Sequence, residues 1–227
     1  GLLLTPPISD MPSVRQLLRR MKVPNVVISL AQEGQSKWTV DTNDREVCTE
    51  MVNYLASLGH KRIAFVLGQP MQIAVTQRFE GFKDGMHENG LKILEQYCEQ
   101  GDNSFESGTE CGRRLLNRKE RPTAVFCAND EMAAGVKIVA HEMGISVPGA
   151  LSIVGFDDSP MTRKMHPKLT TIRQPTRDMS RLATELLIKR LRGESPEGIK
   201  KVLKSELIIR HSTAPAPMLE YSITTTN

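Results

Sequence analysis

Two rhythms of apolar residues alternate along this chain. Short unbroken runs, rich in β-branched side chains, are separated by longer segments whose apolar residues recur at helical spacing. Residues 23–30 (VPNVVISL) predict a buried strand. Residues 45–58 predict a helix carrying Val47, Met51, Val52, Leu55 and Leu58, closed by Gly59. The pair of signals repeats as a strand over 61–67 (KRIAFVL), a helix over 76–88, a weaker strand over 93–98 and a helix over 107–117. It repeats again as a strand over 123–128, a helix over 131–143 and a strand over 151–155. A short strand over 169–172, an amphipathic helix over 179–191 and a strand over 202–209 complete the series. Fully apolar strands alternating with helices predict an α/β fold, a parallel sheet with helices on both faces. The Pro-punctuated, polar end over 214–227 predicts a loosely held segment.

Composition narrows this little. A chain of 227 residues, 39% hydrophobic and 25% charged, fits one large globular domain or two small ones. It holds no apolar run of about 18 residues, so no membrane span is expected. The opening GLLLTPP is too short for a secretory signal and lacks a basic leader. Cys48, Cys98, Cys111 and Cys127 form no C-x-x-C pair and no zinc-like spacing with histidine. Reduced thiols and a cytoplasmic location are the reading. The net charge of +4 is mild, and small groups such as Arg19-Arg20-Lys22 and Lys200-Lys201-Lys204 do not form a basic stripe sufficient to bind DNA alone.

The chemistry gathers where apolar runs stop. In PTAVFCANDEMAAG the strand ends abruptly at Asn129-Asp130 and a helix begins. In open α/β sheets ligands sit beyond the carboxyl ends of strands. Those ends here carry Gly68 and then Arg78, Gly101-Asp102-Asn103, Asn129-Asp130, Asp157-Asp158 and Gln174. One guanidinium, several carboxylates and three amides suit a ligand with adjacent hydroxyls, which donate to carboxylates and accept from guanidinium and amide groups. Each also has a plainer use. Asn129 or Asp130 can cap the following helix, Asp158 can start a short turn, and Gln174 can satisfy loop backbone. Gly81 and Gly135 fit close helix–sheet packing. No G-x-S-x-G, P-loop or G-x-G-x-x-G occurs, and His141-Glu142 lacks a second histidine. Asp157 and Asp158, adjacent in a turn, are expected to point apart. No catalytic residue, metal site or cofactor is predicted.

Six motifs then follow in order: Gly59-His60-Lys61-Arg62-Ile63-Ala64, Arg78 with Gly81-Phe82, Phe126 to Ala133 around Asn129-Asp130, Val147-Pro148, Ser152 to Asp158, and Pro167 to Pro175 around Gln174. Ile209-Arg210 and Ser212 follow near the end. Together they resemble the lac/gal repressor (LacI/GalR) family of bacterial transcription regulators over nearly the whole chain. The resemblance implies a type I periplasmic-binding-protein-like fold, two Rossmann-like subdomains with parallel sheets joined by three crossovers. It divides the chain into a partial N-terminal subdomain over 1–43, a C-terminal subdomain over 44–174, a returning helix over 175–204, a final crossing strand over 205–217 and a flexible tail over 218–227.

The resemblance also implies that Arg78, Asn129, Asp157 and Gln174 line a cleft and hydrogen-bond an effector, with Phe156 packed behind. Asn103 stands where relatives often carry an aromatic ring, Phe105 is the candidate replacement, and Ser29 stands where some relatives have an Asp. A saccharide is favoured over a purine or nucleoside as effector. The helix-turn-helix headpiece, hinge helix and opening strands of such proteins are expected upstream of Gly1, so several strands beside residues 23–30 are expected to be lacking. Operator DNA would be bound through that headpiece, the regulator would be a homodimer, and no membrane is involved. A solute-binding protein of a sugar transport system is the alternative.

Overall fold

The computed structural model describes residues 1–29, 36–70, 72–194 and 197–218. It contains two sheets. The first has the order β1 (Leu2–Leu4), β2 (Asn25–Ile28), β3 (Trp38–Thr42), β9 (Ile199–Leu203), all parallel. The second has the order β10 (Glu206–Ile208), β8 (Thr170–Arg173), β7 (Ser152–Asp157), β6 (Ala124–Cys127), β4 (Ile63–Leu67), β5 (Cys98–Gln100). Only β10 is antiparallel in it.

Helix α1 (Pro12–Arg20) covers one face of the first sheet by packing Leu18 on Leu4 and Val27. Helix α6 (Thr176–Leu191) covers the other, setting Met179, Ala183 and Leu186 on Val26, Trp38 and Val40. The second sheet holds the main core, centred on Phe65, Phe82, Phe126 and Phe156. Helices α2 (Asp44–Ser57) and α3 (Ile73–Glu88) pair with each other, as do α4 (Phe105–Leu116) and α5 (Asp130–Glu142). Alternation of apolar strand and amphipathic helix therefore yields the expected parallel α/β architecture.

Four expectations change. β2 has a parallel neighbour on each side, β1 and β3, neither announced by the apolar rhythm, because β1 is three residues long and β3 reads WTVDT. The strand expected over 202–209 is two strands, β9 and β10, and the chain changes sheets between them at Lys204-Ser205. Ile93 and Leu94 lie outside a strand; a 3-10 turn at Glu95–Tyr97 precedes β5. The segment from residue 214 is tied down at its start, where the Ala214 N–H donates to Ser152 and the Ala216 N–H to Leu58. His60 sits under it, buried, bonding Thr123, Ser152 and the Ala214 carbonyl. The rest of the expected tail, 219–227, lies outside the described residues.

Gly81 and Gly135 serve helix–helix approach rather than helix–sheet packing. A Cβ on Gly81 would stand 2.8 Å from Cys48 Cβ of α2, and one on Gly135 would stand 2.6 Å from the Thr109 nitrogen of α4. Backbone cannot yield as a side chain can. Gly135→Ala is expected to destabilise the protein by about 1–3 kcal/mol, read as a lowered urea midpoint with an unchanged m-value.

Candidate functional site

The carboxyl ends of β1, β2 and β8 meet around a cavity of about 290 Å³ between the two sheets, with Thr5 and Pro6 after β1 on its wall. Its walls include Ile28 and Ser29 after β2, Gln72 and Arg78 from α3, Gln174 after β8, and Thr176, Met179 and Ser180 of α6. Both sheets contribute to one recess.

Arg78 is its centre. Only 8% of the residue is exposed, yet it carries a full charge. Nε donates to Asp44 Oδ2 at 3.0 Å and Nη1 to the Ala128 carbonyl at 2.7 Å, while Cζ lies 3.6 Å from the centroid of the Phe156 ring. Nη2 lies 3.9 Å from Asp157 Oδ1. Burial works against the charge, but Asp44 and then Asp157 outweigh it and hold the group protonated. A guanidinium has five N–H donors, so these partners leave donors for a ligand.

Asp157 closes β7 at φ 113°, and Asp158 follows at φ 50°. The two carboxylates point apart. Asp157 Oδ1 accepts from Gln174 Nε2 at 2.9 Å and faces Arg78. Burial raises its pKa and Arg78 opposes the rise; with 43% of the side chain exposed, solvent screening limits the effect. Asp158 turns away into a cluster with Arg163, Arg173 and Arg210. Desolvation there is overcome chiefly by Arg173 and Arg210, which pull its carboxyl down to about 2.

The predicted residues divide into three groups. Arg78, Gln174 and Ser29 line the cavity, and Asp157 touches the first two. Asn129 and Asn103 stand one step behind. The Asn129 carbonyl oxygen Oδ1 accepts the Met132 N–H at 2.9 Å as the cap of α5, and its Nδ2 donates to the Asn103 backbone carbonyl at 2.8 Å. Asn103 Nδ2 in turn donates to Gln72 Oε1 at 3.1 Å. Phe105, the first residue of α4, is 36% exposed and is not among the residues lining the cavity. Gln72, Thr176, Met179 and Ser180 were missed. Gln72 precedes a helix without any motif, and the α6 residues reach the recess only because that helix returns to the first sheet.

Asp44, where the expected C-terminal subdomain begins, has no predicted part in the site. It accepts from Arg78 and from the Thr42 hydroxyl at 2.5 Å, so the counterion of the central arginine stands at the chain's first passage between sheets. The other passages lie at Gln174-Pro175 and Lys204-Ser205, and the Ser205 N–H donates to Asn43 Oδ1 at 2.8 Å. Among the described residues no group of three or more His, Cys, Asp or Glu could hold a metal ion. No helix among them is long and apolar enough to cross a membrane.

A cavity between two parallel sheets joined by three passages defines a periplasmic-binding-protein-like class, and residues 52–213 match the periplasmic binding protein-like domain family. The HTH-type transcriptional repressor CytR of Escherichia coli (strain K12) is 36% identical over 179 residues, 79% of this chain and 52% of the repressor. A crystal structure of a regulatory protein of the LacI family from Chloroflexus aggregans superposes with a TM-score of 0.86 at 31% identity, covering 93% of this chain and 76% of that one. The transcriptional regulator CelR–cellobiose complex superposes with a TM-score of 0.88 at 30% identity, covering 93% and 65%. The chain belongs to the LacI family of this domain class. It spans about half the length of the curated relatives it matches.

Asp130 anchors the site's strained turn. Its Oδ2 accepts the Ser159 N–H at 2.7 Å and its Oδ1 the Thr171 hydroxyl at 2.6 Å. Desolvation raises its pKa to about 7. A folded pKa above the unfolded value stabilises the fold fully below the unfolded pKa, and that stability is lost as pH rises through the folded one. Asp130→Asn removes this dependence. Between about pH 4 and pH 8 the variant is expected to gain roughly 2–4 kcal/mol on the wild type, measured by urea unfolding at each pH.

Proposed function

We propose that this chain is the effector-binding and dimerisation core of a LacI-type transcription regulator whose helix-turn-helix segment binds operator DNA. The observation that carries this is the cavity between the sheets, with Arg78, Gln174 and Ser29 on its walls and Asp157 against the first two. A bound molecule there touches both sheets at once, so it favours one arrangement of the two. Coupling between such sites is typically about 1–3 kcal/mol. The arginine that meets the ligand is ion-paired to Asp44, at the first passage between sheets, which gives closure a direct mechanical input at a hinge position.

The effector is a saccharide. The cavity offers a carboxylate acceptor, spare guanidinium donors, an amide at Gln72 and at Gln174, and hydroxyls at Ser29, Thr176 and Ser180. That mixture suits adjacent hydroxyls that donate and accept together. Asn129 and Asn103 act by fixing the polar wall that Gln72 presents, not by touching the ligand in this arrangement. Relatives named as repressors favour this reading over a transport protein. The four cysteines are free and three are buried, with burial pushing the Cys48 and Cys127 thiols well up, which suits unreactive thiols in a cytoplasm.

A thermal-shift screen of mono- and disaccharides, nucleosides and purines against the protein identifies the effector, and calorimetry then measures Asp157→Ala. Loss of a charged partner to hydroxyls is expected to weaken binding by about 1.5–3 kcal/mol, a ten- to hundredfold rise in Kd. Unchanged affinity in the variant sinks the assignment.

A further inference from the structure

Charge is divided very unevenly between the two sheets. Residues 1–43 and 175–204, which build the first sheet and its helices, carry 13 Lys and Arg against 7 Asp and Glu, whereas the rest of the chain carries 17 against 19. Ion pairs are divided the other way. Among the described residues the first group holds a single pair, Arg181–Asp178 within one turn of α6, while the others involve residues of the second group.

The fold gathers the unpaired cations at one place. Helices α1 and α6 both end at the amino ends of β2, β3 and β9, the rim opposite the cavity. Arg19 and Arg20 come from the last turn of α1 and Lys22 follows it, too small a group in sequence to bind DNA alone; the fold enlarges it with Lys37 before β3 and Arg190 and Arg192 at the end of α6, which changes that expectation. Arg19, Lys37 and Arg190 share the lining of a single hollow of about 330 Å³ with Asn25, Trp38 and one carboxylate, Glu194, so three cations there face one acid. Arg190 donates to the Asn25 carbonyl and stands 5.9 Å from the Trp38 ring, and no carboxylate among the described residues, Glu194 included, comes within ion-pair distance of it. A helix dipole accounts for basic residues in a last turn. It does not account for Lys37, nor for the lack of carboxylate partners among the described residues.

We infer that this rim is a binding surface for the phosphate backbone of duplex DNA, separate from the helix-turn-helix segment and from the effector cavity. The choice of DNA over other polyanions rests on the regulator reading above; the existence of an anion-binding rim does not. Cations on two helix ends and an intervening loop suit a broad, repeating line of phosphates better than a bilayer, which favours one continuous amphipathic helix. The rim at Asn25 and Ser29 lie at opposite ends of β2, separated by roughly 13 Å of strand at about 3.3 Å per residue. A shift of the first sheet driven from the cavity therefore moves the rim as well.

The test uses the 227-residue chain and a fluorescein-labelled duplex of about 20 base pairs with arbitrary sequence, followed by anisotropy between about 50 and 200 mM salt. One variant carries Arg19→Gln, Arg20→Gln, Lys22→Gln and Arg192→Gln. A charge-matched control carries Lys119→Gln, Arg121→Gln, Lys164→Gln and Lys168→Gln, all exposed residues of the second group. Circular dichroism checks that both remain folded. The wild type is expected to bind with a steep salt slope. The rim variant should bind at least tenfold more weakly, with the slope reduced by about 3–4, near 0.9 per cation removed, and the control should change less than twofold. Equal effects of both variants, no wild-type binding at the lowest salt, or stronger association with phosphatidylglycerol vesicles than with DNA each overturns the proposal. The readout involves no effector, so a failed effector screen and a failed rim are told apart.

Discussion

The structure turns on one buried guanidinium. Arg78 is nearly enclosed, and an unpaired charge there would cost several kcal/mol. Its partners come from three separate places: Asp44 at the start of α2, the Ala128 carbonyl at the end of β6, and Phe156 with Asp157 at the end of β7. Satisfying that charge therefore fixes the relative positions of a helix start and two strand ends. The same ion pair places a guanidinium of the cavity wall beside the first passage between sheets.

Around that anchor the backbone is held in conformations that favour glycine. Ser29, Asn103, Asp157 and Asp158 have φ of 75°, 74°, 113° and 50°, and all lie at or just beyond the carboxyl ends of strands. Such positions cost about 1–3 kcal/mol each and persist only when their surroundings hold them. Asp130 holds Ser159, three arginines hold Asp158, and Asn129 holds the Asn103 carbonyl. These polar groups were legible as a candidate site, but several of them support its walls without lining the cavity.

The two ends of the first sheet then differ in chemistry. One end offers neutral amides and hydroxyls with a compensated charge, suited to a hydroxyl-rich small molecule. The other gathers cations that, among the described residues, outnumber the single carboxylate of their hollow, Glu194. On the proposed reading such a sheet would stand between a small molecule and DNA, and the rigidity of its strands would link a displacement at one end to the other.

By itself the sequence determined the α/β class, because a parallel sheet needs apolar strands and each connection needs an amphipathic helix, and both leave local periodicity. It also marked Asp157 and Gln174, since polar residues where apolar runs stop must lie at strand ends, while Arg78, on α3, was marked by the motif it shares with Gly81-Phe82. Tertiary structure decided what periodicity does not encode. It placed β3 through pairing on both sides despite the mixed pattern of Trp38–Thr42, and it split the last strand at Ser205, where the partner sheet changes. It turned Asn129 inward as a cap and Asp158 toward arginines distant in sequence. Side-chain direction and convergence of remote charges depend on packing in three dimensions, so only the folded chain could set them.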